Sequence, residues 1–176
     1  MSTPPLRLFF AIPCCPQLAR DITDWRAQHA IDGKPVAPEN LHMTLAFLGS
    51  QPRGQVEVLE ALAASLEPNA FTLHLDRLAR WKNGLLHLAP SKVPGALCDL
   101  EHDLRELLLT AGFTLETRPF KPHLTLARHC PKLPSAPTPT FDWPATEFTL
   151  YASENTAKGT RYRALGQWPL RPPAPA

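Results

Sequence analysis

The tetrad His42-Met43-Thr44-Leu45 returns about eighty residues later as His123-Leu124-Thr125-Leu126. Each sits in a similar apolar phrase, LHMTLAFLG and then PHLTLARHC. Alternation inside each phrase predicts a β-strand, in which residues i and i+2 share a face. His42 and Thr44 then project together while Met43 and Leu45 turn to the packed side, and His123 and Thr125 stand likewise opposite Leu124 and Leu126. Recurrence at this long period implies two related lobes rather than a solenoid. Two such strands facing one cleft would supply a paired acid and base.

The remaining segments supply a frame for those strands. Leu6 to Ile12 reads as a buried strand stopped by Pro13, and Pro16 to Ala30 as a helix with Leu18, Ile22 and Trp25 at helical spacing. IDGKPVAPEN has loop composition. Gln55 to Leu66 reads as an amphipathic helix and Phe71 to Trp81 as an alternating strand. Asn83-Gly84 is a hairpin turn, followed by a short strand over Gly84 to Ala89. Pro94 to Ala111 is a leucine-striped helix closed by Gly112, and Phe113 to Thr117 is extended. Thr146 to Ala152 and Arg161 to Trp168 complete the strands. Strand, helix, motif strand and later strand thus occur twice. Pro131 to Pro144 reads as a semi-rigid surface connection, and Pro169 to Ala176 as a frayed polyproline-II end. The expected organisation is one bilobal domain over residues 1–170 and a disordered Pro-rich tail over 171–176.

Composition bounds the function. A chain of 176 residues with 44% hydrophobic content can bury a real core. Its net charge of +2 excludes a polycation that coats nucleic acid, so an anionic ligand must be held by a local site. The four cysteines form neither a CxxC pair nor a spaced disulfide framework, which favours the reduced state and a cytoplasmic location. The N-terminal apolar run is too short for a secretory leader, and nothing approaches the roughly 20 apolar residues of a membrane span.

The paired residue types then select a chemistry. Zinc needs three or four ligands, and neither HExxH nor HxH accompanies the pair. Threonine is a poor zinc ligand but a good hydrogen-bond donor to a phosphoryl oxygen. Acid–base catalysis on a phosphodiester explains both residue types, whereas metal binding explains one, so no metal and no cofactor is expected. Imidazole titrates near neutral pH, so one histidine can accept a proton while the other donates one. His29, His74, His87, His102 and His129 lack the motif context and read as structural.

These residues resemble the two-histidine (2H) phosphoesterases, and within them the bacterial and archaeal RNA 2′,3′-cyclic phosphodiesterases, also called 2′-5′ RNA ligases. The likeness runs through RLFFAIP, NLHMTLAFLG, RPFKPHLTLAR and YASENTAKGTRYRALGQWPL. It implies an α+β, bilobal fold in which each lobe has a mainly antiparallel sheet with outer helices, around a shared cleft. It implies opening of RNA 2′,3′-cyclic phosphate ends to 2′-phosphates, and reversible, ATP-independent 2′-5′ ligation. By the same resemblance His42 is the proton donor, His123 the proton acceptor, and Thr44 and Thr125 hold phosphate oxygens. RNA ends such as tRNA halves would be the partner, and the protein a monomer.

Other candidates rest on position. Strict alternation puts Arg128 on the face of Leu126; a twist or bulge at the strand end would turn it into the cleft as a phosphate ligand, and surface solvation is the alternative. Phe9 and Phe120 are candidates to stack on a base, with core packing the competing reading for Phe9. Arg118 and Lys121 flank the second motif and could follow an RNA backbone, or simply be solvated; Arg7, Tyr151 and Arg161 are weaker candidates. Competing functions are a phosphoesterase acting on small cyclic phosphates (a nucleotide or an ADP-ribose derivative) and a non-catalytic RNA-end binder.

Overall fold

Two antiparallel sheets form the frame, described over residues 4–172 in a computed structural model. β1 (Leu6–Pro13), β3 (His42–Gln51), β8 (Glu147–Thr156) and β9 (Gly159–Pro169) make a four-stranded sheet in the order β3-β1-β8-β9. β2 (Lys34–Pro35), β4 (Phe71–Arg80), β5 (Leu86–Pro90), β6 (Leu124–Arg128) and β7 (Phe141–Ala145) make the other, in the order β2-β6-β5-β4-β7. The helices are α1 (Pro16–Gln28), α2 (Gln55–Ala64) and α3 (Gly95–Thr110). The expected α+β fold with two sheet lobes is what the chain adopts.

Burial follows the residue pattern. β1 is interior to its sheet, and Leu8 to Ile12 are buried without a break, as a strand covered on both faces requires. α3 buries Leu97, Leu100, Leu104 and Leu108 along one stripe. It ends at Gly112, whose φ of 95° lets the Phe113 amide return to the Leu108 carbonyl at 3.0 Å. The two sheets share one apolar core, with Phe10, Trp143 and Phe148 its largest fully buried side chains.

Four features depart from the sequence reading. The lobes are not the two halves of the chain, because β8 and β9 return to pair with β1 of the first sheet. The loop reading of IDGKPVAPEN hides β2, two residues pairing with the end of β6. Pro131 to Pro144 is not all connection: β7 runs through it, with Trp143 buried against β4. Pro144 is tolerated because β7 is an edge strand, where a missing N–H breaks no second ladder. The C-terminal end does not fray at Pro169. Leu170 is buried, and Arg171 bonds Pro68 and Ala70 through its backbone. The rest of the predicted tail, 173–176, lies outside the described residues.

Candidate active site

Both motif strands carry the alternation expected of them. Met43 and Leu45 are buried while His42 and Thr44 are only half-buried, and Leu124 and Leu126 are buried against half-buried His123 and Thr125. Each strand is then broken at the same place. Against β1, Phe10 pairs with Ala46 and Ala11 with Thr44, leaving Leu45 as an extra residue. Against β5, Leu86 pairs with Ala127 and His87 with Thr125, leaving Leu126 extra. A β-bulge thus follows the threonine in both tetrads, and a bulge re-aims whatever comes next. Strict alternation would bury Arg128 with Leu126. Instead Leu126 and Ala127 are buried in succession and Arg128 is exposed, close enough to both imidazoles to disfavour their protonation.

The histidines are fixed by one local device. His42 Nδ1 lies 2.7 Å from the Asn40 carbonyl oxygen, and His123 Nδ1 lies 2.7 Å from that of Lys121. A carbonyl can only accept, so each Nδ1 carries the proton and each neutral ring leaves Nε2 as its acceptor. His42 Nε2 meets Thr44 Oγ1 at 3.0 Å. Asn40 is itself pinned, its buried side chain donating to the Thr160 carbonyl of β9 at 2.9 Å.

Aromatic rings back both imidazoles. Phe9 and Tyr162 have centroids 5.1 and 5.2 Å from His42. Trp81 stands 4.6 Å from His123 and 4.2 Å from His87, whose ring is in turn 5.5 Å from His123. This low-polarity backing sets the titration. Burial lowers the pKa of His42 to about 4, with His123 and Arg128 adding to the shift and the bond to Asn40 opposing it. His123 is lowered by burial and by Arg128, against the bond to Lys121. His87 is lowered by burial and by His123. The free site therefore holds neutral imidazoles at pH 7.

A cleft of about 520 Å³ opens beside Thr44 and His123. Trp81, Lys82, Phe47, Phe120, Arg118 and Lys121 are on its walls, with Glu101 and Arg105 of α3. Arg118 is already engaged by Glu116 at 2.7 Å, and Arg105 donates to the Glu116 carbonyl at 2.6 Å. Phe9 does not fit its candidate role as a base platform. It is 4% exposed, stacked at 5.3 Å on Tyr151, and has no face free for a nucleobase. His42, Thr125 and Arg128 are not among the residues lining the open volume; His42 adjoins it through Thr44. Among the described residues no group of three or more His, Cys, Asp or Glu side chains is placed to hold a metal ion.

The 2′-5′ RNA ligase superfamily matches residues 15–156 of this chain. A protein named RNA 2′,3′-cyclic phosphodiesterase from Escherichia coli (strain K12) is 39% identical over 171 residues, or 94% of this chain and 97% of its own. The chain belongs to the 2′-5′ RNA ligase superfamily. The crystal structure of E. coli LigT in its apo form matches with a TM-score of 0.89 at 38% identity, over 96% of this chain and 99% of that one. The crystal structure of E. coli LigT complexed with 3′-AMP matches at 0.88 and 38%, over 94% and 98%.

Several residues that the motifs did not mark stand beside the two histidines or on the cleft rim. His87 sits between Leu86 and Leu88 in a short strand, so alternation alone puts it on the face opposite the core leucines and could have found it. Trp81 and Tyr162 carried no signal, since their approach to the histidines is set by tertiary packing. Phe47 occupies the place in the first phrase that Arg128 holds in the second, and at 44% exposure it forms part of the cleft rim.

Proposed function

We propose that this protein opens RNA 2′,3′-cyclic phosphodiester ends to 2′-phosphomonoesters by paired-histidine acid–base catalysis without a metal. A single observation carries the reading: two imidazoles are each held through Nδ1 by a backbone carbonyl, one of them, His123, lining the same cleft as Thr44, to which His42 is hydrogen-bonded. The similarity to the E. coli phosphodiesterase along nearly the whole of both chains supports it.

In this mechanism His123 Nε2 takes a proton from water as the water oxygen bonds to phosphorus. The bond from phosphorus to O3′ breaks on the opposite side, and His42 Nε2 delivers a proton to the leaving oxygen. Thr44, Thr125 and Arg128 stabilise the non-bridging oxygens, whose charge grows in the transition state. His42 must acquire its proton with the substrate. The phosphodiester brings a negative charge beside it, offsetting Arg128 and raising its pKa from the free-state value of about 4. An RNA 5′-hydroxyl attacking in place of water gives a 2′-5′ linkage, reversibly and without ATP.

The cleft has the size of a small-ligand site, which favours recognition centred on the terminal nucleotide. Phe120, Arg118 and Lys121 are the candidates on its wall to meet a base or the adjoining backbone. The same size admits a small cyclic phosphate as substrate. We take the protein to be a cytoplasmic monomer acting on RNA ends such as those of tRNA halves. Among the described residues no helix is long and apolar enough to cross a membrane.

The test is incubation with EDTA and either a cyclic-phosphate-ended oligonucleotide or a cyclic mononucleotide. The oligonucleotide should be opened faster, to a 2′-phosphate. Loss of turnover on chelation restored by zinc or manganese, or a 3′-phosphate product, would overturn the mechanism. Preference for the mononucleotide would move the substrate to the small-molecule class.

A further inference from the structure

Arg26 lies in the last turn of α1, only 9% exposed. A buried guanidinium is costly unless its donors are matched. Among the described residues no carboxylate pairs with it. Its Nη1 instead donates to two backbone carbonyls, those of Val36 and Leu126, both at 2.8 Å. Leu126 is the extra residue of the β6 bulge, and its carbonyl also accepts from the Val36 amide at 3.0 Å. Arg26 therefore closes a knot that joins the helix, the segment after β2 and the bulge.

We propose that Arg26 is a positioning residue for the candidate active site, holding the Leu126 bulge that keeps Arg128 off the buried face of its strand and on the exposed side. Without the bulge, strand alternation would send Arg128 to the side occupied by Leu124 and Leu126, both fully buried. The turn after Arg128 is clamped from its other end. Arg80 Nε donates to the Cys130 carbonyl at 2.7 Å, and the Cys130 amide donates to that of Gly84 at 2.9 Å. A Cβ on Gly33 would come within 2.7 Å of the Arg128 carbonyl oxygen, so even that backbone approach is specific.

The placement of α1 adds a second consequence. Its first residue, Pro16, follows closely on Pro13, the cross-strand partner of His42. Its 13 residues span about 20 Å, and the last turn grips the second motif at Leu126. One helix thus ties the strand of the first tetrad to the strand of the second. Loosening Arg26 disturbs Arg128 without touching either histidine.

The experiment is a double-mutant cycle between Arg26→Met and Arg128→Ala, read by kcat/KM on a cyclic-phosphate oligonucleotide and by NMR titration of His42 and His123. Arg128→Ala should lower kcat/KM by about 10²-fold, the usual effect of losing one donor to developing charge. Arg26→Met should lower it at least tenfold by order of magnitude, and the double variant should be no worse than Arg128→Ala alone. Both single variants should move the two histidine titrations in the same direction, upward, because the neighbouring positive charge is removed or displaced. Lys82, Glu101, Arg105, Glu116, Arg118 and Lys121, the charged groups lining the cleft, stay the same in every variant. Additive losses, or a less stable Arg26→Met with unchanged titrations, would reduce Arg26 to a structural residue. Should the Met variant not fold, Arg26→Gln, too short to span the same carbonyls, is put through the same cycle with the same criteria. The activity arm rests on the phosphodiesterase reading, but the titration arm does not. A wild-type protein inactive on every cyclic phosphate would sink that reading and leave the titrations to decide Arg26.

Discussion

The carbonyl oxygen of Asn40 lies 2.7 Å from Nδ1 of His42, two residues ahead of it in the chain, and Lys121 stands in the same relation to His123. Each histidine is aimed by the carbonyl two residues before it, in the segment that leads into its strand. Each ring's tautomer is set before substrate arrives, and neither aim depends on the other lobe.

His42→Ala and His123→Ala should therefore each remove one proton-transfer agent and lower turnover by about 10² to 10⁴, the usual worth of a positioned acid or base. Thr44→Ala and Thr125→Ala should cost less, since they remove one phosphate contact and leave both proton transfers possible. Single-turnover rates on a cyclic-phosphate oligonucleotide measure all four. A histidine variant that retains near-wild-type hydrolysis would lose its catalytic assignment.

The tetrads were legible because strand alternation is a local property: four residues sufficed to put His42 with Thr44 and His123 with Thr125. The bulges were not. Leu45 and Leu126 are ordinary apolar strand residues, and only pairing against β1 and β5 shows that each is one too many. Arg128 was ambiguous for that reason. Arg26 was invisible for another, because its partners are backbone carbonyls, one of them a hundred residues away. The division into lobes was misjudged where strands β8 and β9 rejoin β1, a pairing no sequence period records.

The pH dependence follows from the direction of the shifts. Burial lowers both His42 and His123 from the ordinary 6.5, His42 to about 4. Because kcat/KM reports the free enzyme, its bell-shaped profile should be centred below pH 6.5, while kcat, reporting the complex with a bound anion, should be centred higher. Stability carries the same sign. The unfolded chain takes up protons at these histidines near 6.5 and the folded one only at lower pH, so stability should fall as pH drops from 6.5 toward 4. Urea midpoints across that window test this, and His42→Ala should flatten the slope. Coincident kcat and kcat/KM profiles centred above pH 7 would contradict the neutral free site.

Two phenylalanines considered for base stacking should separate cleanly. Phe9 is packed between His42, Tyr151 and Tyr162, so Phe9→Ala should destabilise the fold by about 3–5 kcal/mol and loosen His42 with it. Phe120 is half-buried on the cleft wall, packed against the core at its edge, so Phe120→Ala should cost less stability than Phe9→Ala and weaken substrate binding by about 1–3 kcal/mol, the range for one stacked base. Denaturation curves beside KM values decide between the two. Equal KM effects with no stability loss at Phe9 would restore it as a base platform.

The balance between hydrolysis and ligation turns on what occupies the position in line with O3′. Water is present at about 55 M and an RNA 5′ end is dilute, so joining wins only if the protein supplies a large effective molarity for the second strand. The cleft of about 520 Å³ has room for roughly one terminal nucleotide. Its cationic side chains are few, and Arg118 is already held by Glu116 at 2.7 Å. A net charge of +2 adds little long-range attraction for another polyanion. Hydrolysis to the 2′-phosphate should therefore dominate, with ligation slow, reversible and indifferent to ATP. Supplying a cyclic-phosphate RNA together with a 5′-hydroxyl RNA and resolving the products measures the ratio directly. A splint that aligns the two ends should raise the joined fraction, because it provides the proximity the protein surface lacks. Predominant joining without a splint, or any dependence on ATP, would overturn this reading.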